Sequence, residues 1–525
     1  MSVSRFLACG LLLVFGGSAT GDAASDAMAA LVREDLRHEV HPGGVEGRPF
    51  WNGNARFFMY APAFDFPTDA HAVGYRFDVV DAKGRCHSFN ADRPTVSLLP
   101  LWDKLPTGWT SVMCRSLDKR EERHMLKGCR TFWKSAPFTG AYPPAACPYA
   151  TCAERALGWL FEQPAWKKLI ADKDASACGY WGVQSYPTKM IAAVVSAICS
   201  GEPDPRRLAE ARICADWLIS VSEPAGRPLA FFPPTYKCRD PKKATGVVRD
   251  YYGQVMLVYP AQFGDALLSL WKKTGDDRYL AQAKGIAETY LHLQGEDGTW
   301  FLKMRTEDGR EAVPNRLVPI DTAIPFLERM FRETGDVRCR AAADRAFAYV
   351  EKNLVRNWNW EGQFEDVDPD SAYRNLTKHG SCAAVIYLCE RFPNDTARVA
   401  LARELLRFSE DQFVCWEKPF PDYAESHDLQ KMEEWTLPGV LEQYYWYVPI
   451  DSSASKLIRT YLALYRVEKN PLDLAKARAL ADAMTRMQMA DGAIPTHWQG
   501  KLRCSWWNCL LSDVQALREL DAVRD

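Results

Sequence analysis

Apolar positions recur at helical spacing through most of the chain beyond residue 150. The stretch from Trp271 to Trp300, WKKTGDDRYLAQAKGIAETYLHLQGEDGTW, shows the unit. One helix ends, Thr274–Gly275–Asp276 makes a turn, and a second helix follows with Leu280, Ala283, Ala287, Tyr290 and Gln294 on one face. Asp276 is placed to cap that second helix by accepting from an amide of its first turn. The unit recurs. Asp204, Asp276, Asp336, Asp395 and Asn470 each sit at such a turn, and seven residues after each comes an alanine: Ala211, Ala283, Ala343, Ala402 and Ala477. Small residues on one face let helices approach closely, as a stacked or closed array of hairpins requires.

An apolar helix is predicted before each turn, over 187–200, 254–274, 321–334, 378–391 and 452–467, which makes five hairpins. Two helices remain, 153–161 ahead of the first hairpin and 508–521 at the C-terminus. Pairing them supplies a sixth hairpin and closes a ring of twelve helices. The alternative is an open array with two apolar end faces to cover.

The periodicity differs before residue 135. Tyr75, Phe77 and Val79 alternate, an Ala82–Lys83–Gly84 turn follows, and 94–99 and 111–117 read as further strands. The expected organisation is a leader at 1–24, a small N-terminal β-sandwich at 25–135, a Pro-rich linker at 136–152 and a helical domain at 153–525. The leader has Arg5, an apolar run over 6–17 and small residues at Ala19, Gly21, Ala23 and Ala24, the pattern of a secretory signal. That run is too short to span a bilayer. A secreted or periplasmic protein is the expectation.

The formal net charge of −2 gives no reason to expect nucleic acid or an anionic membrane as partner. There are 16 cysteines, of which Cys9 lies in the leader. Cys86 with Cys114, Cys147 with Cys152, and Cys504 with Cys509 are candidate disulfides, and an odd remainder leaves at least one free thiol. No Cys-x-x-Cys pair, phosphate loop, His-Glu-x-x-His or Gly-x-Ser-x-Gly is present. No metal site and no cofactor is expected.

Three stretches carry a resemblance to a known group. They are Asp321–Pro325 followed by Thr334–Gly335–Asp336, Tyr252–Trp271 followed by Thr274–Gly275–Asp276–Asp277–Arg278–Tyr279, and Ala475–Asp482 followed by Gln488, Asp491–Gly492 and Trp498. Over roughly 150–525 the chain resembles the six-hairpin glycosidase superfamily, which includes unsaturated glucuronyl hydrolases, β-glucuronidases, sugar epimerases and polysaccharide lyases. The resemblance implies a mainly α protein, an (α/α)6 toroid, acting on an oligo- or polysaccharide that contains uronic acid.

In such rings the first helix of each hairpin is inner, and its N-terminus faces a central funnel. Asp321, Asp250 and Asp451 are then expected to open inner helices. They are the candidates for the two carboxylates a glycosidase needs, one donating a proton and one acting as base or nucleophile. Aspartate is also a preferred helix cap, which is the competing role. Glu433, Glu434, Glu361, Glu365 and Asp366 lie in long connections, and Glu434 beside Trp435 is a further acid candidate. Arg374, Lys378 and His379, with Arg249, form a basic set suited to a uronate carboxylate. His379 with Tyr252 would instead suit a lyase. Trp181, Trp446 and Trp507 are candidate stacking faces for sugar rings, with core packing as the competing role. The first expectation is a glycoside hydrolase, the second a polysaccharide lyase, and the third a carbohydrate-binding protein without catalysis.

Overall fold

The computed structural model describes residues 20–40, 54–118, 124–202, 204–237, 250–366, 373–417, 437–444, 446–498 and 504–523. Twelve helices build the larger part: α1 (Tyr149–Glu162), α2 (Pro187–Cys199), α3 (Pro205–Ser220), α4 (Tyr259–Thr274), α5 (Asp277–Leu293), α6 (Ala323–Thr334), α7 (Val337–Val350), α8 (His379–Arg391), α9 (Thr396–Phe413), α10 (Asp451–Glu468), α11 (Pro471–Met487) and α12 (Trp507–Asp521). Hairpins pair α2 with α3, α4 with α5, α6 with α7, α8 with α9 and α10 with α11. The sixth pairs the last helix, α12, with the first, α1. Inner helices touch in the sequence α2, α4, α6, then α8, α10 and α12, and α12 returns to α2. The step from α6 to α8 is made by the 3-10 turn Pro319–Asp321 that leads into α6. The ring is therefore closed, an (α/α)6 toroid, and an open array is ruled out.

Local chemistry explains why the units form. Asp204, Asp276, Asp336, Asp395 and Asn470 all cap the outer helix that follows, their side chains accepting from backbone N–H groups of Arg207, Arg278, Arg338, Ala397 with Arg398, and Leu472. Gly275 and Gly335 end α4 and α6 in the left-handed region, at φ 67° and 73°, where a side chain would be strained. The five repeated alanines are fully buried between helices. At Gly264 a Cβ would lie 2.4 Å from the Phe326 ring, so this glycine permits the close approach of α4 and α6.

Two inner helices are shorter than predicted. The 254–274 segment begins as strand β8 (Gln254–Met256), paired antiparallel with β9 (Lys303–Arg305), and turns helical only at Tyr259. Its Val255–Val258 run is apolar on every side and carries no helical period. Residues 319–321 form the 3-10 turn, and α6 starts at Ala323.

The N-terminal part is a five-stranded sheet in the order β1 (Phe57–Phe58), β7 (His124–Lys134), β6 (Gly108–Leu117), β3 (Gly74–Val80), β4 (Cys86–Ala91). The β1–β7 pair is parallel and the others antiparallel. A two-stranded ribbon, β2 (Ala63–Asp65) with β5 (Thr95–Ser97), forms the second layer of this small sandwich. Phe64 of the ribbon meets Phe58 and Phe132 of the sheet at 5.7 and 5.6 Å between ring centroids. Helix Thr20–Asp35 precedes the sheet and opens inside the expected leader, whose first nineteen residues lie outside the described ones.

This part is bolted to the ring. Asp411 on α9 accepts from the backbone N–H groups of Met59 (2.6 Å) and Tyr60 (2.8 Å). Lys476 of α11 holds Glu410 (2.7 Å) and Asp35 (3.1 Å), and Arg407 holds Asp35 (2.9 Å). Among the described residues no helix is long and apolar enough to cross a membrane.

All the described cysteines are free thiols. The expected Cys86–Cys114 bridge is excluded by register: Cys86 lies opposite Val80 and is exposed, while Cys114 lies opposite Phe77 and is buried. Cys504 and Cys509 are unbridged, one exposed and one buried. Cys147 and Cys152 are likewise unbridged, the first half-buried and the second buried.

Candidate active site

Short turns link α2, α4, α6, α8 and α10 each to the outer helix after it, so these inner helices end at one side of the ring. Their N-termini share the opposite side with the long connections. There the chain collects Asp321 and the starts of α8 and α10. Lys189 comes from the first turn of α2 and Lys456 from the second turn of α10. Strand β11 (Gly439–Gln443) brings Glu442, and the connection after α7 brings Glu365 and Asp366.

Glu365 is the most firmly held of these acids. It pairs with Lys189, accepts from the Tyr259 hydroxyl at 2.5 Å, and its backbone carbonyl accepts from the Tyr236 hydroxyl at 2.9 Å. Burial alone would raise its pKa, but Lys189 and Tyr259 hold it below the ordinary glutamate value. Glu442 behaves oppositely. Burial, with the charges of Asp366 and Glu365 nearby, pushes its pKa up to about 7 against the pull of Lys378 and Lys189. Asp321 is raised by burial and opposed by Lys456. Burial raises Asp366, and the neighbouring Glu365 adds to it. His379 is driven well below an ordinary histidine by burial and by Lys378, Lys456 and Lys189, so its imidazole is neutral. A proton-holding glutamate, an ionised glutamate and a neutral imidazole thus share one end of the ring. Environments that push acids apart in this way mark acid and base roles.

Several expected residues lie elsewhere. Asp250 opens no inner helix; it is exposed in the connection ahead of β8, because the inner helix starts at Tyr259. Asp451 does open α10 but is 0% exposed, and it faces the equally enclosed Asp513 of α12. Lys378 is also 0% exposed, and its amine donates to the Glu442 backbone carbonyl at 2.7 Å, which fixes β11 and leaves it unsuited to grip a substrate carboxylate. Trp507 is 2% exposed and stacked on Tyr180 at 4.4 Å, so it packs and presents no open face. Arg374 is exposed on the connection, where its backbone N–H donates to Glu361 at 3.3 Å. Trp181 and Tyr252 are 50% and 49% exposed. Arg249, Glu433 and Glu434 lie outside the described residues, as does the side chain of Trp446.

Asp321 is brought into the cluster with His379. It caps nothing: α6 has no side-chain cap, and the position before its first residue is Thr322. Glu442, Lys189 and Lys456 were missed. The signal available was a lone charge in an apolar setting: Glu442 in VLEQYYWYV, Lys189 in PTKMIAAVV, and Lys456 among the buried positions of α10. A single charge in an inner helix or strand must find either a partner or a wet cavity.

Burial raises both Asp451 and Asp513 well above the usual carboxylate range, and for Asp451 the charge of Asp513 adds to it. Two adjacent carboxyl groups in such a place favour sharing a proton. Groups with raised folded pKa values favour the protonated fold. Their stabilisation is complete below the unfolded value of 3.8 and is lost as pH rises through the folded values. Asp513→Asn mimics the neutral acid permanently. It should raise the melting temperature at pH 8 relative to the unaltered protein and leave little difference at pH 4, as differential scanning calorimetry would measure.

Among the described residues no group of three or more His, Cys, Asp or Glu side chains is placed to hold a metal ion.

No family model matches the chain, and no curated protein does. Among solved structures, a family 76 glycoside hydrolase from a bovine Bacteroides thetaiotaomicron strain is similar at 13% identity and a TM-score of 0.48, covering 87% of this chain and 95% of its own. A family 76 α-mannanase of Bacteroides thetaiotaomicron gives 13%, 0.48, 71% and 96%. Cellobiose 2-epimerase of Spirochaeta thermophila gives 13%, 0.45, 68% and 98%. Likenesses this distant carry no inference about chemistry. The class the helices themselves define is the closed (α/α)6 toroid joined to a small β-sandwich, with a cluster of acids and lysines at the N-terminal ends of its inner helices.

Proposed function

We propose that the protein is an exported carbohydrate-active enzyme, a glycoside hydrolase that cleaves a glycan containing uronic acid. The observation that carries this reading is Glu442, a half-buried glutamate set among Lys378, Lys189, Asp366 and Glu365, whose proton is retained to about pH 7. Glycosidic cleavage needs a proton donor to the leaving oxygen and a second carboxylate to activate water or attack the sugar. Glu442 takes the donor role. Asp321, whose charge Lys456 favours, takes the second. Glu365 is held by Lys189 and Tyr259 and positions the site without exchanging protons. The uronate preference rests on the family resemblance and on Lys456, an amine in the second turn of α10 that would favour an anionic sugar.

Polysaccharide lysis by β-elimination is the second reading, favoured by His379, whose imidazole is unprotonated and so free to accept a proton. Incubation with a panel of uronic-acid glycans and aryl glycosides separates the readings. Saturated reducing sugar is the expected product; an unsaturated sugar absorbing in the near ultraviolet would replace hydrolase by lyase. The pH–rate profile adds a second check. Turnover should fall as pH rises through about 7, where Glu442 loses the proton it must donate. Turnover that climbs through that range would remove Glu442 from the donor role.

A further inference from the structure

We infer that the outward face of the N-terminal five-stranded sheet is a second binding surface, where Arg76 and Arg115 grip the carboxylates of an acidic polysaccharide. The inference rests on the uronate reading above and adds a polymer-holding site on residues outside the ring.

Strand alternation sorts the side chains of this sheet into two faces. Phe77, Val79, Val112, Cys114 and Phe132 point inward and are buried. On the outward face the register sets Arg76 of β3 directly across from Arg115 of β6. Like charges directly opposite on a sheet are destabilising. Asp78 offsets them only in part. It accepts from Arg76 Nε at 3.1 Å and from the Ser88 hydroxyl at 2.6 Å, and it pairs with Arg115. Asp78 is the only acid on β3, β4, β6 and β7, so two guanidinium groups share one carboxylate. It engages Arg76 through Nε alone, which leaves the terminal fork of that arginine without a protein acceptor. The Arg76 and Arg115 side chains are 43% and 30% exposed. A guanidinium oriented in this way takes a carboxylate through two parallel hydrogen bonds.

The rest of the face says what carries that carboxylate. Trp109 lies opposite Trp133, which meets it edge-on at 5.6 Å, and its indole is 37% exposed. Six residues of β6 separate Trp109 from Arg115, about 20 Å at the ordinary strand rise. Ser111 and Thr131, bonded to each other at 2.8 Å, lie between them. A single sugar reaches one end of this row, whereas a polymer lying along β6 reaches both and offers hydroxyl groups to the middle. A second copy of the same face would bring more arginine and no spare acid, so self-pairing about a twofold axis leaves the excess charge in place. An acidic polymer removes it.

The test is affinity electrophoresis of the full chain, carrying Asp321→Asn to keep the polymer intact, in native gels containing β-1,4-linked polyglucuronic acid, neutral mannan or polyglutamate. Polyglucuronic acid should retard the protein and mannan should not. Adding Arg76→Gln should weaken the apparent affinity about tenfold, and Trp109→Ala should weaken it further. Arg76→Gln leaves Arg115 on Asp78, so the sheet keeps an ion pair and this variant decides the matter if the double variant with Arg115→Gln fails to fold. In the chain with Asp321 intact, neither Arg76→Gln nor Trp109→Ala should change kcat/KM on a short substrate from the glycan panel. Retardation undiminished by both substitutions overturns the sheet site, because all binding then belongs to the ring. Equal retardation by polyglutamate, insensitive to Trp109→Ala, overturns its assignment to a glycan. Absence of retardation by polyglucuronic acid also overturns it, and the hydrolase reading still stands if the unaltered chain cleaves a uronate oligosaccharide. Retardation that depends on Arg76, with no uronate substrate cleaved, removes the hydrolase reading and keeps the sheet site.

Discussion

Replacing Asp321 with asparagine should leave the toroid folded and cut turnover by at least about a hundredfold, the lower bound for loss of acid–base assistance. The expectation of normal folding rests on what Asp321 does not do. α6 has no side-chain cap, so no helix terminus depends on this carboxylate. Burial raises its pKa, and the charge it feels comes from Lys456 across the site. Asparagine keeps the shape and removes only the charge and the exchangeable proton. Glu442→Gln should show a loss of the same order, because glutamine cannot donate the proton that glutamate retains to about pH 7. Lys456→Met should act in between by withdrawing the charge that supports Asp321. Far-ultraviolet circular dichroism controls for folding, and kcat on the substrate found in the glycan panel is the readout. Near-normal kcat in both carboxyl variants would move the chemistry to His379 or to the 418–436 segment that contains Glu433 and Glu434.

The largest expected effect on stability belongs to Lys476→Met. Lys476 is 3% exposed and joins Glu410 of α9 to Asp35 of the N-terminal helix. Removing one partner of a buried ionic cluster leaves the others charged and short of compensation, a loss typically of ~3–5 kcal/mol. Arg407 and Tyr60 remain on Asp35, and Trp416 remains on Glu410, which favours the lower end of that range. Burial opposes the charged form of Asp35, yet Lys476 and Arg407 together hold it well below the usual aspartate value. A depressed folded pKa contributes stability that is present above the unfolded value of 3.8 and lost as pH falls below it. The unaltered protein should therefore lose stability steeply below about pH 4, and the variant, already lacking part of that increment, more shallowly. Urea unfolding at pH 7 and pH 3.5 measures both terms. Equal midpoints at pH 7 would show that the network contributes nothing net.

The fold was legible because hairpins are local. Each repeats a turn, a capping Asp or Asn and an alanine seven residues on, and all five predicted caps are made. Closure was legible for another reason: two apolar helices without partners leave only each other. The site was less so. Asp321 and His379 could be placed because one lies in the turn just ahead of an inner helix and the other starts one, positions that sequence spacing reports. Glu442 sits on a short strand in a long connection, and only the folded chain sets it against Lys378 and Glu365. Asp451 shows the opposite failure. It starts an inner helix as expected, but whether a carboxylate there meets the funnel or the neighbouring helix depends on its rotation about the helix axis, and Asp513 awaits it on α12. Tryptophans divide similarly: Trp181 and Trp507 both lie beside aromatic neighbours in sequence, yet one is open and one is stacked under Tyr180.

The pairing of α12 with α1 also has a consequence for biosynthesis. A nascent chain emerges N-terminus first, so α1 is complete long before its partner exists. Until residues 507–521 have been made, α1 keeps Ala153, Ala156, Leu160 and Phe161 without their cover, and α2 lacks its neighbour on that side. Hairpins can form one by one during translation, but they make an arc with two sticky ends. Such arcs can join end to end between neighbouring chains on one polysome, the route by which repeat-built proteins misassemble. The fifteen residues of α12 thus close the ring only after every other hairpin has been made.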